Sequence, residues 1–263
     1  MRTKVLLGLA ALAAGVASSM AQSNVYSLNI VGYANVPNRG YSFQSNPFDA
    51  SPNNSAVNVI ANPGPAQSYD GPMDQASLQT WTGVGFTVYL FDSVTTDTTT
   101  GFTLPNGNPV VGPSLDSGLG YLINNLGPSN NITYVGNVRT GTNVISYPAR
   151  VTPYAVGSPL PLAGGVSSSL GFVNSNPAQA DYDGVLDSSK VEFLKTTPSG
   201  AAAGYSVALF DSITTDTTTG FTTPAGAPIP EPQISVGQGF FFVSGGTRTN
   251  LSAAYVWTQI LNP

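Results

Sequence analysis

The stretch FDSVTTDTTTGFTLP occupies Phe91–Pro105, and FDSITTDTTTGFTTP occupies Phe210–Pro224, 119 residues further along the chain. Thirteen of the fifteen residues are identical between the two stretches. We call their central parts, Asp92–Gly101 and Asp211–Gly220, the Thr-rich blocks. Near-identity at a constant offset predicts that the 263-residue chain carries two copies of one structural unit.

The repeat extends on both sides of the Thr-rich blocks. Upstream, GFTVYLF at Gly85–Phe91 matches GYSVALF at Gly204–Phe210, and both runs are rich in the aromatic and β-branched residues of strands. Downstream, GLGYLI at Gly118–Ile123 matches GQGFFF at Gly237–Phe242. Because these glycines precede strand-like runs rather than helices, they predict a bulge or a close backbone approach instead of an anion site.

Short apolar runs separated by Gly, Pro, Asn and Asp, about ten residues apart, favour an all-β fold. We predict two tandem homologous units, each a β-sandwich or barrel-like structure, following a signal peptide. Unit 1 spans residues 22–133 and unit 2 spans residues 134–263. Short helices are expected only at Asp74–Trp81 and Asp187–Leu194, where each aspartate is a plausible N-cap.

The N-terminus has the pattern of an export signal. Arg2 and Lys4 precede the apolar run Val5–Ala17, and small residues then lead to a cleavage site before Gln22. We therefore expect residues 1–21 to be a signal peptide, with a retained N-terminal anchor as the alternative. The expected location is secreted, extracellular or cell-surface, with the periplasm as a further option, and no transmembrane segment is expected after cleavage.

The composition limits the catalytic and metal-binding sites that the chain can form, because it contains no cysteine and no histidine. Ser–His triads and the usual zinc and haem ligand sets are therefore excluded. The formal charge is −5, and removal of residues 1–21 leaves six basic and thirteen acidic residues, a charge of −7. Such an acidic chain is not expected to bind nucleic acid. No residue constellation marks a reaction, so we expect a protein that is not an enzyme.

Several of these segments follow one another in a recognisable order. Val25–Val36 (VYSLNIVGYANV) and Tyr41–Pro47 come first, followed by an aspartate turn, a Tyr/Phe-x-Val-x-x-Phe-Asp strand and GQGFFF at Gly237–Phe242. This order resembles a family of uncharacterised secreted β-rich repeat proteins from Verrucomicrobia-type and related bacteria. The resemblance implies export and a β-rich repeat, and it supplies no activity, ligand or catalytic residue. The Thr-rich block lies outside the family pattern.

The Thr-rich blocks are the candidate metal sites. Carboxylates and hydroxyls gathered in a turn offer the hard oxygen ligands that Ca²⁺ prefers, and the carboxylates are those of Asp92, Asp97, Asp211 and Asp216. The favoured alternative is a structural hairpin loop, in which Asp and Thr bond the backbone and Gly adopts a positive φ. No other cofactor is expected.

A second pair of candidate sites has an aromatic ring beside a carboxylate, the pattern of a sugar-binding subsite. Tyr69 and Asp70 form the first, and Tyr182 and Asp183 form the second, with a glycine after each aspartate. The favoured alternative is an Asp-Gly turn preceded by a packing tyrosine.

These observations favour an exported, non-enzymatic structural or cell-surface protein that self-associates, because open β-units expose strand edges that can pair. The alternative is an adhesin module that binds a cell-surface polysaccharide or another partner, with or without calcium, where two units would add avidity. A hydrolase that relies on aspartates is the third interpretation.

Overall fold

Strands account for nearly all of the regular structure, so the predicted all-β fold is confirmed. Within the described residues the one helix is α1, Ala56–Val59. The computed structural model describes residues 30–60, 71–74, 76–92, 100–147, 152–172, 186–187, 189–210, 220–244 and 255–262.

The first half of the chain forms a five-stranded antiparallel sheet with the strand order β1-β5-β2-β3-β4. A register shift between Asn38 and Gly40 divides β1 and its pairing with β5 into two parts. The strands are β1 Val31–Ser45, β2 Ser77–Trp81, β3 Phe86–Phe91, β4 Phe102–Thr103 and β5 Gly120–Asn137.

The second half forms another five-stranded antiparallel sheet, with the order β7-β13-β9-β10-β11. The repeated segments show that β10 is the counterpart of β3 and that β13 is the counterpart of the start of β5, so the two sheets share one strand order. The strands are β7 Tyr154–Gly157, β9 Lys190–Thr196, β10 Ala202–Phe210, β11 Phe221–Thr222 and β13 Gly239–Val243.

Two smaller antiparallel sheets complete the described structure. The strand β6, Gly141–Tyr147, pairs with β14, Tyr255–Leu261. The short strands β8, Gly164–Gly165, and β12, Gln233–Ile234, pair with each other.

The prediction of helices at Asp74–Trp81 and Asp187–Leu194 is wrong, because strands β2 and β9 occupy most of their described residues. Each strand has a partner on both sides in its sheet, so its backbone groups are satisfied by ladders rather than by helical bonds. Val191 of β9 is fully buried between these partners. Tertiary pairing therefore overrides the N-cap signal, and an eight-residue helix is marginal in any case.

Each five-stranded sheet packs on both of its faces. The first sheet buries one face on a core that contains Phe91, Tyr121 and Ile123. The second buries one face on a core that contains Phe242 and Trp257. The opposite faces meet each other in a third cluster, which consists of Phe43, Leu122 and Phe241 with Trp81, Phe86, Ala155, Leu194 and Tyr205 around them.

Phe241 is the centre of this inter-sheet cluster. Its ring centroid lies 4.8 Å from that of Phe43 and 5.5 Å from that of Trp81, and both pairs are edge-to-face. Each such pair contributes about 0.5–1.5 kcal/mol beyond its buried area. The two halves of the chain are therefore held together by a sheet-on-sheet contact.

Backbone hydrogen bonds cross between the two sheets in a reciprocal pattern. The N–H of Ser45 donates to the carbonyl of Gly237 over 2.9 Å, and the N–H of Gly157 donates to the carbonyl of Gly118 over 3.1 Å. Ser45 pairs with the first residue of β5, and Gly157 pairs with the first residue of β13, so the two bonds are counterparts. Each half of the chain therefore donates one backbone hydrogen bond to the Gly-x-Gly segment of the other half.

The Gly-x-Gly motifs make the crossing feasible, which confirms the predicted close backbone approach. A Cβ on Gly120 would lie 2.6 Å from the carbonyl oxygen of Val156, and a Cβ on Gly239 would lie 2.6 Å from that of Gln44. The glycine two residues earlier has a positive φ in each motif, 94° in one and 74° in the other.

The predicted boundary between residues 133 and 134 lies inside β5, whose C-terminal part pairs with β1. Gly32 pairs with Gly136 across this boundary. Residues Val31–Pro263 together form one compact unit. The division into 22–133 and 134–263 stays a prediction.

A chain of buried hydrogen bonds links β1 and β5. The hydroxyl of Tyr121 donates to the hydroxyl of Tyr134 over 2.9 Å, and Tyr134 in turn donates to Gln44. Tyr147, in β6, is also buried, yet its hydroxyl has no hydrogen-bond partner among the described residues. Burial raises the pKa of all three tyrosines above the usual value.

We expect Gly239→Ala to lower the free energy of unfolding by about 1–3 kcal/mol, because the added Cβ meets a backbone carbonyl that cannot move aside. Gly85→Ala is the matched control, since nothing lies within 4 Å of a Cβ at that position. Urea unfolding of both variants checks this expectation. Equal stabilities for the two variants would contradict the close approach.

The buried tyrosines predict opposite effects of two similar substitutions. Tyr134→Phe should cost about 1–3 kcal/mol, because it leaves Gln44 and Tyr121 without their partner, whereas Tyr147→Phe should leave stability unchanged or higher. Urea unfolding at neutral pH measures both.

The same residues predict alkaline destabilisation. Their raised pKa values mean that the stabilisation is complete below the unfolded-state pKa of about 10 and is lost as the pH rises above it. Urea midpoints measured across this range should fall, and Tyr147→Phe should fall less steeply than the wild type. A flat profile would contradict burial of these hydroxyls.

Candidate functional site

The Thr-rich blocks connect paired antiparallel strands, as the hairpin interpretation predicts. The first joins β3 to β4, where Phe91 pairs with Phe102, and the second joins β10 to β11, where Phe210 pairs with Phe221. The ring centroids lie 4.7 Å apart in the first pair and 5.0 Å apart in the second. Both connections therefore start and end at an aromatic pair in the core.

Of the four candidate metal ligands, Asp92 alone lies within the described residues. It follows β3 directly, is fully buried, and its backbone N–H donates to the carbonyl of Gly101 over 3.0 Å. Asp97, Asp211 and Asp216 lie outside the described residues. Over the part of the chain that is described, no three residues of the metal-binding types cluster. Calcium binding by the blocks stays a prediction.

The candidate sugar subsites, Tyr69 with Asp70 and Tyr182 with Asp183, also lie outside the described residues. Their role as ligand contacts stays a prediction.

A cleft of about 560 Å³ lies beside the loop that follows β1, and Asp49 and Asp116 both line it. The carboxylate of Asp49 is paired with the guanidinium of Arg139, with a shortest N–O distance of 2.6 Å. Hydrogen bonding from Arg139 lowers the pKa of Asp49. Ser114 donates to Asp116 over 2.9 Å. These carboxylates are therefore engaged within the protein.

A second cleft of about 560 Å³ lies where the irregularity in β1 meets the turn before β10. Arg39, Tyr41, Asn124 and Ser199 are among its lining residues. A backbone hydrogen bond connects its two sides, since the N–H of Tyr41 donates to the carbonyl of Gly200 over 2.7 Å. A guanidinium, a phenol and an amide around one cleft are groups that hydrogen-bond and stack on sugars.

Among the described residues, six of the ten exposed large hydrophobic side chains lie on two strand pairs. We call residues 31–38 of β1 with residues 130–137 of β5 the first ribbon. Side chains alternate along it, so that Val36 and Tyr134 point into the core while Val31, Tyr33 and Val135 point outward. Tyr33 pairs directly with Val135 and is 73% exposed.

We call the pair of β6 and β14 the second ribbon. On its inner side Tyr147 and Trp257 are buried in the second core. On its outer side Val144, Val256 and Ile260 are each more than half exposed. The two ribbons therefore present the same kind of surface.

Neither ribbon contains a charged residue. The outer edges of residues 31–38 and of β6 form no backbone hydrogen bonds with any other described segment. Proteins usually protect such edges with lysine, proline or a covering segment, and Pro37 is the single lysine or proline within residues 31–38 and β6. Large contiguous apolar patches are uncommon on the surfaces of soluble monomers and often occur where they bind other molecules.

Sequence reasoning identified open strand edges as a general property but did not locate the ribbons. In β1, the alternation of Val31, Tyr33 and Asn35 with other residues was the sequence pattern that could have indicated a strand with one outward face. In β14 the alternation pattern does not identify the outward face, because apolar residues occur on both sides of the strand. Tyr255 and Trp257 lie on one side, and Val256 and Ile260 lie on the other.

Comparison with protein-family models, curated proteins and solved structures finds no match to this chain. In the described part of the chain, no helix combines the length and the hydropathy that a membrane crossing requires.

A ligand that binds only the folded state raises the melting temperature. Because the hairpin interpretation is favoured, we expect the melting temperature in about 1–5 mM Ca²⁺ to equal that in excess chelator. The control is the Asp97→Asn, Asp216→Asn double variant. A rise of several degrees in the wild type that disappears in this variant would instead identify the blocks as calcium sites.

Proposed function

We propose that this protein is an exported, non-enzymatic structural protein of the cell surface or extracellular space, and that it acts by self-association. The observation that carries the proposal is the pair of uncharged, outward-facing apolar ribbon surfaces. They offer area that gains free energy when it leaves water, at about 25 cal/mol per Å².

Export is supported by the N-terminal pattern of Arg2, Lys4 and the apolar run up to Ala17. The proposed kinship with the secreted β-rich repeat family is consistent with it.

A structural rather than catalytic role is supported by how the described charged groups are used. Lys190 pairs with Glu192 over 2.6 Å. The carboxylate of Glu231 accepts the backbone N–H groups of Ser167 and Ser168 over 2.6 and 2.7 Å, which fixes the turn after β8. These carboxylates are engaged in contacts within the protein, and a hydrolase would need carboxylates that face a substrate.

A second candidate function is binding of a surface polysaccharide, and the cleft lined by Arg39 and Tyr41 favours it. Arg39 forms no ion pair among the described residues, so an acidic sugar would be the matching ligand. Retention on immobilised uronate polymers that is lost in Arg39→Ala would support this function. Equal retention of the wild type and the variant would remove it.

The test of self-association is multi-angle light scattering of purified residues 22–263 over a wide concentration range. We expect the mean mass to rise with concentration. We also expect the rise to persist from about 0.1 M to 1 M NaCl, because apolar contacts are not screened by salt. A mass that stays at the monomer value throughout would overturn the proposal.

A further inference from the structure

We infer that each ribbon surface is a contact site for the same surface of a second copy, so that copies join end to end into unbranched chains. This inference rests on the proposed self-association and names the surfaces, the partner and the form of the assembly.

The first argument is that the two ribbons are counterparts. Each ribbon consists of two paired segments. One segment precedes an edge strand of the five-stranded sheet, and the other follows the strand that begins at the Gly-x-Gly motif. In the first half both segments are continuous parts of β1 and β5, and in the second they are the separate strands β6 and β14. The dipeptide Tyr134-Val135 in one ribbon recurs as Tyr255-Val256 in the other. In both, the tyrosine packs against the core and the valine is exposed.

The second argument concerns the partner. The outward side chains are valine, isoleucine, threonine, tyrosine, serine, asparagine and proline, and they include neither a cation for an acidic polymer nor a carboxylate for a basic one. The chain as a whole is acidic, so copies repel one another, and this repulsion is weakest where the strands carry no charge. A like surface on another copy matches this chemistry, because two apolar faces can meet without desolvating an ion.

The third argument concerns geometry. Pro37 has no N–H to offer a neighbouring strand, so the first ribbon is suited to face-to-face packing rather than to extension of the sheet at that position. Pairing of like faces is isologous and uses up one face of each copy. The counterpart face on the other half of the same chain stays available, so growth continues in one dimension.

The experiment compares assembly of residues 22–263 as wild type, with one ribbon charged, and with both ribbons charged. Tyr33→Lys charges the first ribbon and Val256→Lys charges the second, at side chains that are more than half exposed. Val84→Lys and Val111→Lys are the matched controls, because these residues are at least as exposed as Val256 and lie outside both ribbons. Thermal unfolding verifies that each variant is folded, and Val135→Lys or Val144→Lys substitutes for one that is not.

We expect the wild type and both controls to form unbranched chains by negative-stain electron microscopy. Each single-ribbon variant should stop at twice the monomer mass, and the double variant should stay at the monomer mass. If the wild type assembles and the double variant assembles equally well, the ribbon inference is overturned while the proposed function stands. Monomers from either single variant would overturn pairing of like faces. A closed dimer of the wild type would overturn chain growth, and a monomeric wild type would overturn both proposals.

Discussion

The structure depends on one constraint, the reciprocal backbone crossing at the two Gly-x-Gly motifs. At each crossing a strand from one half donates a backbone hydrogen bond to the motif of the other half, over 2.9 Å in one case and 3.1 Å in the other. A Cβ on Gly120 or Gly239 would lie 2.6 Å from a carbonyl oxygen, so glycine alone permits the approach. The inter-sheet cluster around Phe241 packs beside this crossing and depends on it.

The crossing also explains where the exposed apolar surface lies. Because the two five-stranded sheets cover each other, each buries both faces, one on its own core and one on its partner. The ribbons extend beyond this overlap and pack on one side only, as Val36 and Trp257 show on the inner faces. Their outer faces have no covering layer among the described residues. A fold that satisfies its own sheets internally thus leaves two similar outer faces exposed among the described residues.

The sequence predicted features that depend on interactions between neighbouring residues, and it failed where segments distant in sequence decide the structure. The Thr-rich hairpins and the close approach at Gly120 and Gly239 were predicted, because turn residues and glycines within strands act through local backbone geometry. The helix expected at Asp187–Leu194 was wrong, because its local cap signal competes with pairing to β10 and β13, which are distant in sequence. Of the candidate site residues, Asp92 alone could be placed, and it lies buried at the base of its hairpin.

The sequence by itself determined the all-β class, the recurrence of near-identical segments and the absence of histidine and cysteine chemistry, because these follow from residue types and local spacing. Only the tertiary structure decided that the two halves exchange backbone contacts and which side of each ribbon faces outward. In β14, Trp257 and Val256 are neighbours and both apolar, so alternation alone could not select the buried one. The choice is made by residues far away in sequence, where the carbonyl of Leu170 accepts the indole N–H of Trp257 and draws that face into the core.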